Sequence, residues 1–170
     1  MVLELARLWP AHPLAFWALL AAMAYLLVVG ARLSWIDLHT HRLPNRIVFP
    51  AYAVAGVLLG TAALAAGEPA RLLGLAAGGA VLWVFYFAVR FVYPAGMGFG
   101  DVKLAGVLGL YLGYVGWALL LWATFAAFLL GGLYGVLLML LRRASLKTAI
   151  PFGPFMIAGT VLVLAMPAAG

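Results

Sequence analysis

Apolar runs some twenty residues long, separated by short clusters of basic residues, glycine and proline, make up nearly the whole chain. A helix rises about 1.5 Å per residue, so a run of roughly 20 residues matches a hydrocarbon core about 30 Å thick. An ordinary soluble domain is about half apolar and about a quarter charged. Here 68% of residues are hydrophobic and 8% charged, with a mean hydropathy of +1.19. No water-soluble fold of this length hides that much apolar surface. The solvent must be lipid, and the expected fold is an all-α membrane protein.

Hydropathy divides residues 1–170 into six expected spans, at about 14–36, 47–66, 72–92, 102–114, 117–141 and 149–167. Together they form one domain, a six-transmembrane helix bundle whose fourth span is short. A short span suits a helix that starts inside a water-accessible cavity, where irregular backbone is tolerated at membrane depth. The first run is too long for the apolar part of a signal peptide, and its positive charges mostly follow it, so it reads as a retained helix. Arg32, Arg42, Arg46, Arg90, Lys103, Arg142, Arg143 and Lys147 all fall at one set of span ends. Only Arg7 and Arg71 fall at the other. The positive-inside rule makes the first side cytosolic, which places both termini outside. The net charge of +6 is spread over these ends and forms no basic face, so no nucleic-acid partner is expected.

Carboxylates are the scarce resource. Glu4, Asp37, Glu68 and Asp101 are the four acids of the chain. An ionisable group near the bilayer is costly and marks function. Glu4, in a polar N-terminal tail, and Glu68, in the turn Ala66-Gly67-Glu68-Pro69-Ala70-Arg71, read as solvated surface charges. Asp37 and Asp101 are different. Each sits at the cytosolic end of its expected helix, and the spans were set without reference to either. They can therefore meet in the bundle. Two carboxylates a few Å apart do not both ionise easily. One can take a proton from water while the other donates a hydrogen bond to a carbonyl oxygen, which is a route to amide hydrolysis.

The settings of the two differ. Gly96-Met97-Gly98-Phe99-Gly100-Asp101-Val102-Lys103-Leu104 puts three glycines just before an apolar helix. Glycine permits dihedrals and close approaches that other residues forbid. Gly98 and Gly100 are expected to shape the loop that carries Asp101, and Lys103 to reach toward the interface. Asp101 can equally be an N-terminal helix cap. Near the C-terminus, Ile150-Pro151-Phe152-Gly153-Pro154-Phe155 opens the last span on the same face. Proline removes backbone donors, so Pro151, Phe152, Gly153 and Pro154 either position an extended substrate strand or simply start a helix. Four further pairs of glycines, Gly56/Gly60, Gly74/Gly78, Gly109/Gly113 and Gly131/Gly135, have helix-packing spacing.

Other chemistries find little support. The chain has no cysteine, which removes thiol catalysis and zinc ribbons. His39 and His41 could be drawn with the aspartates as a metal set, but His-x-His diverges on a helix and no metal-binding His spacing is present. No metal and no cofactor is expected. A small transporter or proton relay could also use membrane acids, although it would favour carboxylates near the midplane. A purely structural assembly subunit would leave the placement of the aspartates unexplained.

Taken together, three segments resemble the type IV prepilin peptidase family, membrane aspartic proteases of the Gly-x-Gly-Asp kind. Asp37-Leu38-His39-Thr40-His41-Arg42-Leu43-Pro44-Asn45 is similar to its first motif, in which Leu-Pro follows an Asp. Gly96 to Leu104 resembles its second, and Pro151-Phe152-Gly153-Pro154-Phe155 its C-terminal stretch. The resemblance implies that Asp37 and Asp101 are the catalytic pair. It implies cleavage of a short basic leader from prepilin-like or preflagellin-like membrane proteins, at the cytosolic face of the cytoplasmic (inner) membrane. Longer members carry a cysteine-containing zinc domain and methylate the new terminus. This chain, without cysteine, resembles the compact form, which puts methyl transfer in question.

Overall fold

The computed structural model describes residues 1–94, 96–142 and 150–166. Seven helices account for nearly all of them: α1 (Val2–Ala11), α2 (Pro13–Thr40), α3 (Asn45–Ala65), α4 (Ala70–Val92), α5 (Phe99–Val115), α6 (Trp117–Leu140) and α7 (Gly153–Ala165). No strand occurs among the described residues. Four helices, α2, α3, α4 and α6, are long and apolar enough to cross a membrane. The six expected spans correspond to α2 through α7, but α5 and α7 fall short of that length, at 17 and 13 residues. Arg143, Lys147 and the two ends of the expected last span lie outside the described residues.

Which face each helix buries follows from residue size. On α6 the buried positions are Leu120, Ala123, Ala127 and Gly131, a single stripe at helical spacing. Its large side chains point outward, as lipid contact allows. On α2 the buried stripe runs Ala15, Ala18, Leu19, Ala22, Leu26, Gly30, Leu33, Asp37. Asp37 is thus the last inward position of an otherwise apolar face. α5 has no lipid face of this kind. Thirteen of its residues are buried, because α3, α4, α6 and α7 all pack on it. Its shortness reflects that position, with Gly98 and Gly116 ending it on either side.

The closest packing is between α4 and α5. A Cβ on Gly78 would lie 2.5 Å from the Gly109 carbonyl oxygen and 2.7 Å from the Gly113 Cα. One on Gly74 would lie 2.6 Å from the Gly113 carbonyl oxygen. Backbone thus meets backbone, as small residues permit in lipid. Gly131 and Gly135 instead make room for Phe152 and Ile150. Gly56 faces open space, so that pair is not a packing seam.

Two expectations are corrected at the opposite end from Asp37. The N-terminal segment is no tail: α1 is a helix with Leu8 buried, laid against the start of α2. That fold-back brings Glu4 onto Arg71, 3.1 Å away, while Glu68 also pairs with Arg71 and sits 3.2 Å from Arg7. Arg71 further lies over the Tyr114 ring, 5.0 Å from its centroid. Glu68 meets Arg71 as its turn suggests, but Glu4 and Glu68 are half-buried members of a clasp and not solvated surface charges. Beside it, Trp9, Phe16 and Trp17 form an edge-to-face cluster, the kind of amphipathic ring set favoured at a membrane–water boundary.

Candidate active site

Asp37 lies in the last turn of α2 and is 4% exposed. The helix stops three residues later, where His41 takes a left-handed conformation (φ 51°) and donates its N–H to the Asp37 carbonyl at 2.8 Å. The chain then turns through Leu43 and Pro44 into α3. Asp101 lies in the first turn of α5 and is 7% exposed. Its Oδ2 reaches back to accept the N–H of Gly98, the N-cap residue, at 3.0 Å. This is the carboxylate half of a capping box, and it places negative charge where the helix dipole favours it. The capping expectation for Asp101 is met, and the same carboxylate lines the cavity described below.

A matching donor serves Asp37. Its Oδ2 accepts the N–H of Gly153 at 3.2 Å, across 116 residues of sequence. The Pro151–Pro154 stretch therefore sits directly behind Asp37 and starts α7 there. Each aspartate has one oxygen held by a glycine N–H, from Gly98 or Gly153. In both cases the glycine supplies closeness. A Cβ on Gly153 would come within 2.8 Å of Asp37 Oδ2, and one on Gly98 within 3.2 Å of Asp101 Oδ2.

That modifies the expected role of the loop glycines. Gly98 has φ −72° and ψ 150°, an ordinary extended conformation open to any residue. Space, and no unusual dihedral, is what the position requires. The same holds at Gly100, where a Cβ would meet Leu43 Cβ at 2.9 Å. Leu43 also reaches Gly153, whose added Cβ would lie 3.4 Å from Leu43 Cδ1. Buried Leu43 is thus wedged between the glycine beside Asp101 and the glycine behind Asp37.

Asp37 and Asp101 line one cavity of about 480 Å³, together with His41, Arg42, Leu43, Pro44, Asn45, Gly98, Phe99, Gly100 and Lys103. It is roomy and polar enough for water. Lys103 does not simply reach for the interface. Its Nζ donates to Asn45 Oδ1 at 3.0 Å and lies over the rings of Phe99 and Phe49, at 4.9 and 5.1 Å. Among the described residues no group of three or more His, Asp or Glu could hold a metal ion.

Several contributors are invisible to motif reasoning. Arg90, at the end of α4, donates from Nη1 to the Met97 carbonyl at 2.6 Å and so pins the glycine loop to α4. Its place in the last helical turn, where basic side chains often bond nearby carbonyls, was the available signal. Tyr52 on α3 donates its hydroxyl to the Lys103 carbonyl at 2.6 Å. Behind Gly153, Phe152 packs on Phe128, which stacks on buried Tyr86, with centroids 5.0 and 5.8 Å apart.

Two buried carboxylates on separate helices, converging on a cavity large enough for water and substrate, within an all-helical integral membrane protein, define a di-aspartate membrane protein. The comparison with known sequences is specific: residues 20–136 match the type IV leader peptidase family, and the chain belongs to that family. It is 35% identical over 150 residues to a prepilin leader peptidase/N-methyltransferase of Aeromonas salmonicida (strain A449), covering 87% of this chain and 50% of that protein. Proteins with the same description from Pseudomonas putida and Bacillus subtilis (strain 168) are 36% and 34% identical over 134 and 129 residues. Those alignments cover 78% and 74% of this chain, and 45% and 48% of the relatives. The chain spans about half the length of the curated relatives it matches. No solved structure shows a significant match.

Proposed function

We propose that this protein is a membrane aspartic endopeptidase that removes the short leader from type IV prepilin-like or preflagellin-like precursors, with Asp37 and Asp101 as its catalytic pair. The observation that carries the proposal is the convergence of two buried aspartates on one cavity, each with a single oxygen held by a glycine N–H. Family membership supplies the reaction class. One carboxylate takes a proton from water, and the hydroxide adds to the scissile carbonyl carbon. The other carboxyl donates its proton toward the developing oxyanion. Collapse of the tetrahedral species breaks the C–N bond, and the amine leaves with the proton that the first carboxyl had taken. Among the described residues each aspartate keeps Oδ1 clear for these steps, because the glycine donors occupy Oδ2 in both. Gly98 and Gly100 set the backbone that carries Asp101. Lys103, fixed by Asn45, lines the cavity beside the dyad. Pro151, Phe152, Gly153 and Pro154 position Asp37 and, through it, the substrate bond.

The same proposal places residues 1–170 as one domain of six spans in the inner membrane. The dyad lies at the cytosolic face and both termini lie outside. Charge supports this orientation: Arg32, Arg42, Arg46, Arg90, Lys103 and Arg142 cluster at the ends of helices nearest the aspartates. The proposal extends to peptide cleavage alone. Its test is co-expression with candidate prepilins, scored by leader loss. Asp37→Asn and Asp101→Asn should each lower cleavage by at least about 10²-fold while the protein still inserts. An Asn at 101 can still accept the Gly98 N–H, so the helix cap survives. Near wild-type processing by either variant would sink the dyad assignment.

A further inference from the structure

A second cavity of about 470 Å³ adjoins the first and shares Phe99 and Lys103 with it. The remaining wall is Phe49, Tyr52 and Trp83. The two cavities, with Phe99 and Lys103 as their common wall, are of opposite character. The carboxylate end carries Asp37, Asp101, His41, Arg42 and Asn45. The other end offers rings. Its one hydroxyl, on Tyr52, is already spent on the Lys103 carbonyl. Its one charge, the Lys103 ammonium, is held at the junction by Asn45 and by the faces of Phe49 and Phe99. The furrow exists because α3 and α4 both pack on α5 but little on each other. Phe49 and Phe99 stand half-exposed along it.

We propose that this aromatic furrow seats an apolar helical segment of the substrate polypeptide, entering sideways from the lipid, with Lys103 marking where the apolar segment gives way to the bond being cut. The inference rests on the peptidase reading and adds to it the place where substrate docks. A peptide bond held at the carboxylates must continue in both directions, and the furrow is an apolar exit contiguous with them. The cavity, about 470 Å³ and open on one side, has room for side chains from one face of a helix. Laying an apolar helix face into a hydrophobic groove is an established recognition mode.

The test has two arms. In the first, the photoreactive residue p-benzoylphenylalanine replaces Trp83, or replaces Leu121 as a lipid-facing control on α6, in full-length Asp101→Asn protein in membranes. Adducts to the precursor's apolar segment from position 83, and not from 121, are expected. Lipid adducts alone, or equal precursor adducts from both positions, would overturn the docking proposal. This arm reads binding without cleavage, so it stands apart from the fate of the dyad assignment. In the second, Trp83→Ala is assayed on the whole precursor and on a short peptide that spans the cleavage site but lacks the apolar segment. The precursor-to-peptide ratio of kcat/KM should fall about tenfold, the scale of losing one aromatic anchor. An unchanged ratio, whether both substrates suffer equally or neither does, would refute it. A wild-type protein that cuts neither substrate would instead overturn the peptidase reading.

Discussion

Gly153→Ala separates positioning from stability more cleanly than a change to either aspartate. The added methyl would sit 2.8 Å from Asp37 Oδ2, in the space now used by the N–H···O bond of 3.2 Å. Its next neighbour, Leu43 Cδ1, is at 3.4 Å, an ordinary contact. The clash therefore falls on the tip of a rotatable side chain and not on backbone. Asp37 can relieve it by turning about χ1 or χ2, so no backbone is displaced and the cost to the fold is confined to the bond that is lost. Turning costs the carboxylate its fixed orientation. A hydrogen bond to a charged group is worth about 1.5–3 kcal/mol, and misplacing a reacting group by about 1 Å costs up to about 10²-fold. The expected result is a 10- to 100-fold lower kcat for precursor cleavage, with KM nearly unchanged and the thermal midpoint in detergent lowered by no more than the loss of one hydrogen bond, about 1.5–3 kcal/mol. A kcat within twofold of wild type would show that the Gly153 donor does not position Asp37. A matching collapse of the thermal midpoint would show that Gly153 acts through the fold instead.

Two further outcomes follow from packing. Gly78→Ala drives a methyl into the backbone of Gly109 and Gly113, which cannot rotate away. Overpacking of this kind costs about 1–3 kcal/mol, read as a lowered denaturation midpoint in micelles; an unchanged midpoint would mean that α4 and α5 do not pack as described. Arg71→Met removes the hub of the clasp and leaves Glu4 and Glu68 with exposed Arg7 as their remaining cation among the described residues. Amide exchange across Val2–Ala11 should speed up at least about tenfold, the equivalent of about 1.4 kcal/mol, and unaltered exchange would show that α1 is held by apolar contacts alone.

The pairing of Asp37 with Asp101 was legible because acids are so rare in this chain that their placement carries most of the information. The helices were legible because lipid leaves the backbone few alternatives. What escaped was tertiary. Glycine pairs at helix-packing spacing state that a close approach is possible, but not toward what, so Gly74/Gly78 and Gly109/Gly113 found each other while Gly56 found nothing. The mixed composition of residues 2–11 hid an amphipathic helix whose acidic residue pairs across the fold. The Pro-Phe-Gly-Pro stretch announced a special helix start, but no local pattern says that a Gly153 N–H will land on a carboxylate 116 residues earlier.

That long reach bears on when the pair of aspartates takes its final arrangement as the protein is made. Helices enter the membrane in order of synthesis, at about 5–20 residues per second. Asp37 is in place early, Asp101 follows with α5, and the donor that orients Asp37 arrives last, with α7. The hydrogen-bonded arrangement of the two carboxylates is complete only once α7 has docked. A ribosome-bound or truncated intermediate would hold both aspartates but not their finished arrangement.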